Sequence, residues 1–416
     1  MKLDIGIGQG TQPVTVPDEN LIKVLMANPV EHDLTGEEEV KRALSAPIGT
    51  PLLRDIVHAG EKIAIITSDI SRPMPTHVVM PSLLDELYAA GCKAEDISLV
   101  FALGSHRKQT EEERKKLAGD RAYAEITCID SDPEDVVHVG VTKHGTPIDI
   151  DRVVATADRR ICLGNIEFHY FAGYSGGIKA IFPGCATRAA IQANHSMMVE
   201  DAACAGNIMT NPLRNDLEEM TEHLTVDFIV NVVLDEHKHL VKAFAGDIQK
   251  AHREGCKYLD TMYAVPIPKR ADIVIVSQGG APKDLNLYQT QKALDNAKHA
   301  VADGGIIILV GSCKEGLGEH TFEEWLTTAK TSGELITRVR EDFKLGGHKA
   351  AAIAMVLEHA RIFLVSDMED DFVRTIFMEP YHTVQEAYDE AVKCKGENAS
   401  VIVMPFGGST LPKVEN

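Results

Sequence analysis

Strand-length apolar runs alternate with helix-like segments along most of this chain, and this alternation is the feature that most limits its fold. Residues 62–67 and 97–102 have the composition of buried strands, and each run precedes a segment that is typical of a helix. Such alternation predicts an α/β fold with mostly parallel sheets and helices on their faces. In sheets of this kind, ligands bind outside the carboxyl ends of the strands.

The chain is long enough for more than one domain. Its 416 residues exceed the ~250–300 residues at which single cores stop growing, so we expect two domains. A proline-containing stretch at 265–270 interrupts the pattern, which restarts after it, and this predicts a linker. We therefore expect an N-terminal α/β domain over 1–268 and a C-terminal α/β domain over 269–396. The sequence allows the tail, 397–416, to return to the N-terminal domain.

Composition disfavours several classes of partner and location. The chain has 62 acidic residues and 42 Lys and Arg, a formal charge of −20, and no basic cluster, so we expect neither nucleic-acid nor membrane binding. Its apolar runs are far shorter than the ~20 residues that span a bilayer, and the N-terminus lacks a signal-peptide core, so we expect a cytoplasmic protein. None of the eight cysteines forms a CxxC pair, which disfavours zinc-ribbon and iron–sulfur sites.

Polar groups directly follow two of the predicted strands. Asp69 and Arg72 lie three residues apart after the first strand, where a capping turn and a binding loop are equally compatible with the sequence. His106, in Gly-Ser-His-Arg at 104–107, is presented at the end of the next strand. A lone histidine is more often structural, but the adjacent glycine and arginine favour a site that meets an anion.

A glycine-rich segment follows a further predicted strand at 160–163. It runs Gly-Asn-Ile-Glu-Phe-His-Tyr-Phe-Ala-Gly-Tyr-Ser-Gly-Gly-Ile-Lys-Ala-Ile-Phe-Pro-Gly from 164 to 184, which is longer than the usual ~2–6 residues and is typical of a functional loop. Lys179 lies among apolar neighbours, where burial would lower its pKa and make its amine nucleophilic. A snorkelling surface lysine is the less favoured alternative. His195, on the next predicted helix, could be a metal ligand or a helix-surface residue.

Two polar groups stand out in the predicted C-terminal domain. Tyr288, Gln289 and Lys292 share one face of a predicted helix, for which an ordinary amphipathic surface is an equal alternative. His348 and Lys349 could meet a second carboxylate on a substrate, but we favour a surface turn for them. The chain has no P-loop, HExxH or GxSxG motif, and the glycines at 6–10 lack the helix that a dinucleotide fingerprint requires.

Taken together, these motifs resemble the nickel-dependent lactate racemase family. The resemblance covers nearly the whole chain, and its elements recur in order: Asp-Ile-Ser-Arg-Pro at 69–73, Gly-Ser-His-Arg at 104–107, His169 followed by Gly-Tyr-Ser-Gly-Gly-Ile-Lys at 173–179, His195, and Tyr-Gln-Thr-Gln-Lys at 288–292. The glycine-rich lysine motif, with histidines ten residues before and sixteen after the lysine, is the most specific part of it.

The resemblance implies a racemase or epimerase of 2-hydroxy acids that acts by reversible hydride transfer from substrate C2, through a 2-keto acid. The implied hydride acceptor is a nickel-pincer nucleotide, pyridinium-3-thioamide-5-thiocarboxylic acid mononucleotide, attached covalently to Lys179, with His195 as the nickel ligand. The other implied site residues are His106 and His169 as acid/base groups; Arg72, Lys292, Tyr288 and Gln289 at the substrate; and Asp69, Ser175, Gly176 and Gly177 at the cofactor. Since Arg72 and Lys292 belong to different predicted domains, an active-site cleft between the two domains is also implied.

The sequence leaves more than one substrate and more than one class of function open. The family's chemistry is compatible with lactate or with a larger substrate such as malate, 2-hydroxyglutarate, an aryl hydroxy acid or a sugar acid. The expected partners are this substrate and the enzymes that mature the cofactor, and the oligomeric state is left open. Two other classes remain: a divalent-metal hydrolase that uses His106, His169 and His195 directly, and a cofactor-free protein that binds hydroxy acids.

Overall fold

Two six-stranded sheets, four two-stranded sheets and the surrounding helices make up the part of the protein that this computed structural model describes, residues 1–415. The chain divides into two compact units. We call residues 30–260 the central unit, after their place in the sequence, and residues 1–29 together with 261–415 the terminal unit. This mixed α/β architecture with mostly parallel sheets confirms the predicted fold class.

Within residues 1–415, the strands in chain order are β1 (Lys2–Ile7), β2 (Gly10–Thr15), β3 (Leu21–Val24), β4 (Ile63–Ser68), β5 (Ile97–Ala102), β6 (Thr127–Asp130), β7 (Val136–Val141), β8 (Pro147–Asp151), β9 (Arg159–Asn165), β10 (Phe168–His169), β11 (Gly173–Tyr174), β12 (Phe228–Leu234), β13 (Leu240–Gly246), β14 (Ala264–Ile267), β15 (Ala271–Ser277), β16 (Val301–Val310), β17 (Ala360–Val365), β18 (Glu379–Tyr381), β19 (Val401–Met404) and β20 (Leu411–Val414).

The α-helices of the same residues are α1 (Gly36–Ser45), α2 (Leu53–Ile56), α3 (Thr76–Ala89), α4 (Glu111–Ala118), α5 (Asp120–Glu125), α6 (Arg152–Thr156), α7 (Arg188–His195), α8 (Pro212–Glu219), α9 (Lys250–Tyr263), α10 (Leu287–Ala297), α11 (His320–Thr328), α12 (Ser332–Glu341), α13 (Gly347–Leu357), α14 (Asp370–Thr375) and α15 (Val384–Lys395).

The sheet of the central unit has the strand order β13-β12-β9-β4-β5-β6. Its strands run parallel except for β13, which pairs antiparallel with β12 as a hairpin. β4 and β9 are buried along nearly their whole length, as continuous apolar strands of a sheet covered on both faces should be. One core cluster unites this sheet with α1 and α3.

The order of strands in this sheet determines where three loops of the central unit emerge. β4 lies between β5 and β9, and all three strands are parallel. Their carboxyl ends therefore meet at one edge of the sheet. The segments that carry Asp69, His106 and the glycine-rich run leave from these three ends, which is the edge where α/β sheets bind ligands.

The sheet of the terminal unit has the order β18-β17-β16-β15-β19-β3, and every pair in it is parallel. β19 is fully buried because it lies between β15 and β3. These pairings place residues 1–29 and the tail with 261–396, whereas the sequence suggested an N-terminal domain over 1–268 and a tail free to return to it. The expected linker at 265–270 also differs, because β14 pairs in parallel with β20.

Among residues 1–415, no helix combines the length and the apolar composition that crossing a membrane requires.

Candidate active site

Asp69 and His106 form a hydrogen-bonded pair in the central unit, at the ends of β4 and β5. Asp69 is 3% exposed, and its Oδ2 lies 2.7 Å from His106 Nδ1. Burial by itself raises the pKa of Asp69, but hydrogen bonds from His106 and Ser71 and the charges of His106 and Arg72 outweigh it, so the net pKa is lowered. An ionised carboxylate only accepts hydrogen bonds, so Nδ1 of His106 carries a proton. Neutral His106 then has its lone pair on Nε2, the form that a general base needs.

Ser71 and Arg72 complete this corner of the central unit. The Ser71 hydroxyl donates to Asp69 Oδ1 over 2.6 Å, and its oxygen also lies 3.1 Å from His106 Nδ1. The exposed Arg72 is tied through its backbone N–H to the carbonyl of Asp69, and its charge contributes to the lowered pKa values of both Asp69 and Lys179. This corner therefore offers a fixed imidazole base beside a guanidinium that can attract an anion.

Phe171 is the shared neighbour of three predicted site residues. Its buried ring lies edge-on to the imidazoles of His169 and His195, with centroid distances of 4.5 Å and 4.9 Å. The Nζ of Lys179 lies 5.7 Å from the centroid of the same ring. The structure thus groups His169, Lys179 and His195 around a side chain that the sequence did not single out.

The two predicted acid/base histidines are held in different ways. His169 belongs to the short hairpin of β10 and β11, and its Nδ1 accepts a hydrogen bond from the backbone N–H of Ala172 over 3.3 Å. His106 donates from Nδ1 to a carboxylate instead. The hydrogen bonds of the two imidazoles therefore favour opposite tautomers in their neutral forms.

Three buried polar side chains form hydrogen bonds with the backbone of the loop that precedes Lys179. Asn231 Oδ1, on β12, accepts from the N–H of Gly177 over 2.7 Å, and His252 Nε2, on α9, donates to the carbonyl of Ser175 over 2.8 Å. Arg214, on α8, is 1% exposed and reaches toward the carbonyl oxygens of Tyr174 and Gly176, both at 3.4 Å.

The glycines in this loop are needed for its packing. Gly177 has φ +60°, and a Cβ there would lie 2.7 Å from a guanidinium nitrogen of Arg214. A Cβ on Gly176, φ +76°, would lie 2.8 Å from Asn231 Oδ1. The Ser175 hydroxyl donates to the carbonyl of Asn165 over 2.8 Å. These contacts give Ser175, Gly176 and Gly177 a part in shaping the loop.

The pKa of Lys179 is far below the usual value of a lysine. Desolvation by burial is the largest cause, the charges of Arg214 and Arg72 add to it, and together they lower its pKa to about 7. The side chain lies in the 3₁₀ turn of residues 177–180, directly after the anchored loop. A large fraction of this amine is therefore neutral and nucleophilic near neutral pH.

His195 is the last residue of α7 in the central unit. Thr187 caps this helix by accepting a hydrogen bond from the N–H of Ala190. The imidazole is half-buried, and its Nδ1 lies 3.0 Å from Oδ1 of Asn194. His195 is thus fixed both by this hydrogen bond and by its contact with Phe171.

In the terminal unit, the predicted residues Tyr288, Gln289 and Lys292 lie on α10, as the sequence indicated. Asn286 caps the helix by accepting a hydrogen bond from the N–H of Gln289 over 3.0 Å. Tyr288 and Gln289 are half-buried and Lys292 is exposed.

The expected surface turn at His348 and Lys349 is wrong. Both residues are buried at the start of α13 in the terminal unit. Lys349 Nζ donates to the carbonyl of Tyr288 over 2.6 Å and lies 3.8 Å from the centroid of the Tyr288 ring. His348 Nδ1 accepts from the N–H of Gly346 over 3.0 Å, and burial, followed by the charge of Lys349, lowers the pKa of His348 to about 3.

Within residues 1–415, no group of three or more His, Cys, Asp or Glu side chains is arranged to hold a metal ion. The geometry therefore gives no support to direct metal binding by His106, His169 and His195 together.

Two family models match the chain. The lactate racemase N-terminal domain matches residues 7–206, and the lactate racemase C-terminal domain matches residues 267–411. Together they cover most of the sequence.

Similar proteins cover the full length. A lactate racemase of Thermoanaerobacterium thermosaccharolyticum is 32% identical over 98% of this chain and 98% of its own length. A lactate racemase of Lactiplantibacillus plantarum is 32% identical over 99% of each chain.

Solved structures agree on the fold. The lactate racemase apoprotein from T. thermosaccharolyticum is similar with a TM-score of 0.87, 32% identity, and coverage of 99% of this chain and 100% of that one. A protein from Thermotoga maritima, with a TM-score of 0.64 and 19% identity, covers 93% of this chain and 100% of its own, and shares the fold.

Proposed function

This chain belongs to the lactate racemase family and is an isomerase, and we propose that it inverts the configuration at C2 of a 2-hydroxy acid, with lactate as the first substrate to test. The observation that carries the proposal is the grouping of His169, Lys179 and His195 around Phe171. It supports a common site for the proposed acid/base group, cofactor attachment and metal ligand.

We propose that the enzyme uses nickel held in a pincer nucleotide. The donor set fits this group: the lowered pKa of Lys179 provides a neutral amine for covalent attachment, and imidazole, as in His195, is a suitable nickel ligand. When bound, the nickel-pincer nucleotide would accept the C2 hydride of the substrate and return it to the planar 2-keto acid. A single protein ligand for the metal is compatible with the lack, within residues 1–415, of a larger metal-binding cluster.

The residues of the central unit would supply proton transfer. His106, with a proton on Nδ1 and a lone pair on Nε2, accepts the hydroxyl proton of one enantiomer. Asp69 stabilises the imidazolium that results, because its carboxylate is ionised and lies 2.7 Å away. His169 serves the other enantiomer in this proposal, and its proton must then move from Nε2 to Nδ1 before it acts as a base through Nε2.

Substrate binding is proposed for the four residues that the family resemblance implies: Arg72, Lys292, Tyr288 and Gln289. Arg72 has an exposed guanidinium suited to a carboxylate, and Lys292 an exposed ammonium. Tyr288 and Gln289 occupy the first turn of α10 and would bind the remaining polar groups of the substrate. Asp69, Ser175, Gly176 and Gly177 are proposed to support the cofactor mainly through the contacts that fix His106 and the loop before Lys179.

The substrate and the setting of the reaction are also proposals. Lactate is the simplest substrate, and malate, 2-hydroxyglutarate, aryl hydroxy acids and sugar acids are the larger alternatives. We propose a cytoplasmic enzyme that needs partner enzymes to mature its cofactor.

Isotope retention is the test of this function. Protein produced together with the cofactor-maturation enzymes should racemise L-lactate or one of the larger acids, as measured by chiral chromatography. A substrate carrying deuterium at C2 should keep most of it in the product, because the hydride returns to the same carbon. Complete exchange of the C2 label with solvent would contradict hydride transfer, and an absence of racemisation across the whole panel would contradict the proposed activity.

Intact-protein mass measures cofactor attachment separately. The matured wild type should carry a covalent increment on a peptide that contains Lys179, together with bound nickel. Lys179→Ala should lose both the increment and the activity, whereas Lys143→Ala, at an exposed lysine of the same unit, should keep them. Metal bound without an adduct, accompanied by hydrolysis, would favour the divalent-metal hydrolase.

A further inference from the structure

A chain of hydrogen bonds runs from His195 into the interior of the central unit. His195 Nδ1 lies 3.0 Å from Oδ1 of Asn194, and Asn194 Nδ2 lies 2.8 Å from Oδ2 of Asp216. Asn194 is fully buried and Asp216 is 1% exposed. The half-buried imidazole is thus connected through one amide to a buried carboxylate.

The contacts of Asn194 fix which end of its amide faces His195. Nδ2 lies 3.1 Å from the carbonyl oxygen of Leu213 and 2.8 Å from the carboxylate of Asp216. Both partners are acceptors, so the NH₂ group must occupy that side, and both of its hydrogens are used there. The oxygen Oδ1 therefore faces His195. Because this oxygen has no hydrogen, Nδ1 of His195 must be the donor.

Asp216 is itself held in place. The hydroxyls of Thr142 and Thr146, from the turn between β7 and β8, both donate to its carboxylate. Asp216 thus receives hydrogen bonds from two hydroxyls and one amide, and this satisfied network resists reorientation. Any rotation of the Asn194 amide would place its oxygen against the carboxylate and the Leu213 carbonyl, which is unfavourable.

We propose that Asn194 is a positioning residue that holds neutral His195 as the Nδ1–H tautomer and so presents the lone pair of Nε2 to nickel. This inference rests on the proposed function, in which His195 is the nickel ligand. Metal-binding histidines generally donate their other ring N–H to a neighbouring acceptor, which fixes the tautomer and the ring orientation. Asn194 provides that acceptor, and Asp216 fixes Asn194.

His252 in the same unit provides an internal reference with the opposite tautomer. Its Nδ1 lies 3.0 Å from a guanidinium nitrogen of Arg214, which can only donate, so Nδ1 is the acceptor. Its Nε2 donates to the carbonyl of Ser175 over 2.8 Å. A method that distinguishes tautomers should therefore report a proton on Nδ1 for His195 and on Nε2 for His252.

Nitrogen NMR of the cofactor-free full-length protein measures this directly. The sample carries ¹⁵N-labelled histidine, and long-range ¹H–¹⁵N correlations are recorded at a pH where the imidazoles are neutral. His195→Gln and His252→Gln assign the two signals. We expect the wild type to show the Nδ1–H form of His195, and Asn194→Ala to convert most of it to the Nε2–H form. A wild-type His195 that is protonated on Nε2, or an unchanged tautomer in Asn194→Ala, would overturn the proposal.

The controls separate tautomer loss from unfolding. Asn296→Ala removes a buried asparagine amide of the terminal unit and should leave the His195 signal unchanged. The signals of the other histidines show in the same spectra whether Asn194→Ala stays folded. If it does not, Asn194→Ser keeps a hydroxyl that can donate to Asp216, removes the amide oxygen, and should give the same change of tautomer.

Nickel retention in the matured protein tests the consequence. Asn194→Ala should keep the mass increment on Lys179 but bind nickel about 10- to 100-fold more weakly, as determined by competition with a chelator. Unchanged nickel affinity would overturn the positioning role. A wild type with neither increment nor nickel, produced beside a relative that acquires both, would instead overturn the proposed function and leave the tautomer result standing.

Discussion

Asp69 holds His106 by a 2.7 Å hydrogen bond between its buried carboxylate and Nδ1 of the imidazole, and this bond determines which nitrogen of His106 can act as a base. Neighbouring strands, β4 and β5, position the two residues. The pair resembles the carboxylate–imidazole arrangement of enzymes that activate a hydroxyl group.

Asp69→Asn should therefore lower kcat strongly while the fold persists. The amide cannot stabilise the imidazolium and can offer a donor to Nδ1, which favours the wrong tautomer. We expect a loss of about 10²- to 10⁴-fold in kcat, the usual contribution of a general base, with a smaller change in KM. Ser71→Ala is the matched control, since it removes one hydrogen bond to Asp69 but keeps the carboxylate, and should lose much less activity. Wild-type kcat in Asp69→Asn would contradict the proposed role of His106.

The arrangement around β4, β5 and β9 was largely predictable. Their apolar runs and the polar residues after them were visible locally, and parallel strands bring successive carboxyl ends to one edge. The hydrogen bond between Asp69 and His106 was not predictable in the same way. The sequence pattern shows that their two loops are neighbours, but it does not show which side chains of the two loops are in contact.

Long-range pairings limited the remaining predictions. The strand β3 pairs with β19, which lies at residues 401–404, and local sequence patterns do not reveal a partner so distant in the chain. The glycine-rich loop is supported from elements 30 or more residues downstream of it, by Arg214, Asn231 and His252, and none of these residues stands in a recognisable motif. Lys349 is buried against Tyr288, although the run Gly-Gly-His-Lys at 346–349 is typical of an exposed turn.

Arg214→Met should destabilise the central unit. The guanidinium is almost fully buried, and it donates to Glu218 over 2.7 Å and to His252 over 3.0 Å. Its loss leaves the partly buried carboxylate of Glu218 with one fewer cationic partner and the imidazole of His252 with one fewer donor. We expect the free energy of unfolding to fall by about 3–5 kcal/mol, as measured by denaturant titration.

A surface pair supplies the comparison for Arg214. Arg54 is about half exposed and pairs with Glu86, so Arg54→Met should cost less than about 1 kcal/mol. If both substitutions lower the free energy of unfolding by the same amount, the buried network around Arg214 stabilises the protein no more than a surface ion pair does.

Lys349→Met should affect both stability and substrate binding. It removes the hydrogen bond to the Tyr288 carbonyl and the contact with the Tyr288 ring, although methionine fills a similar volume. We expect a loss of about 1–3 kcal/mol in unfolding free energy and, if Tyr288 binds substrate, a larger change in KM than in kcat. Lys344→Met, at an exposed lysine nearby in sequence, should change neither quantity. An unaltered KM in Lys349→Met would argue against a role for Tyr288 at the substrate.

Lys179 should be the most reactive lysine of the cofactor-free protein near neutral pH. Its pKa is lowered from 10.5 to about 7 by burial and by the charges of Arg214 and Arg72, so its neutral fraction rises through pH 7 rather than through pH 10. Mapping an amine-selective reagent by peptide mass should give a half-maximal rate at Lys179 near pH 7. Lys62 serves as the exposed reference: its hydrogen bond to Asp96 raises its pKa, so it should react with a much more alkaline midpoint. A Lys179 midpoint near that of Lys62 would contradict the burial of the Lys179 ammonium.

The same shift predicts how stability depends on pH. Between pH 7 and 10.5 the unfolded chain keeps the Lys179 proton while the folded protein has lost it, so unfolding takes up a proton and stability rises with pH. Below pH 7 both states are protonated, and the folded state bears the full cost of the buried charge. Lys179→Met removes this cost, so it should be more stable than the wild type below pH 7, and the difference should shrink steadily toward pH 10.5. Melting temperatures of both proteins across this range measure it, and a constant difference would show that Lys179 titrates like an ordinary surface lysine.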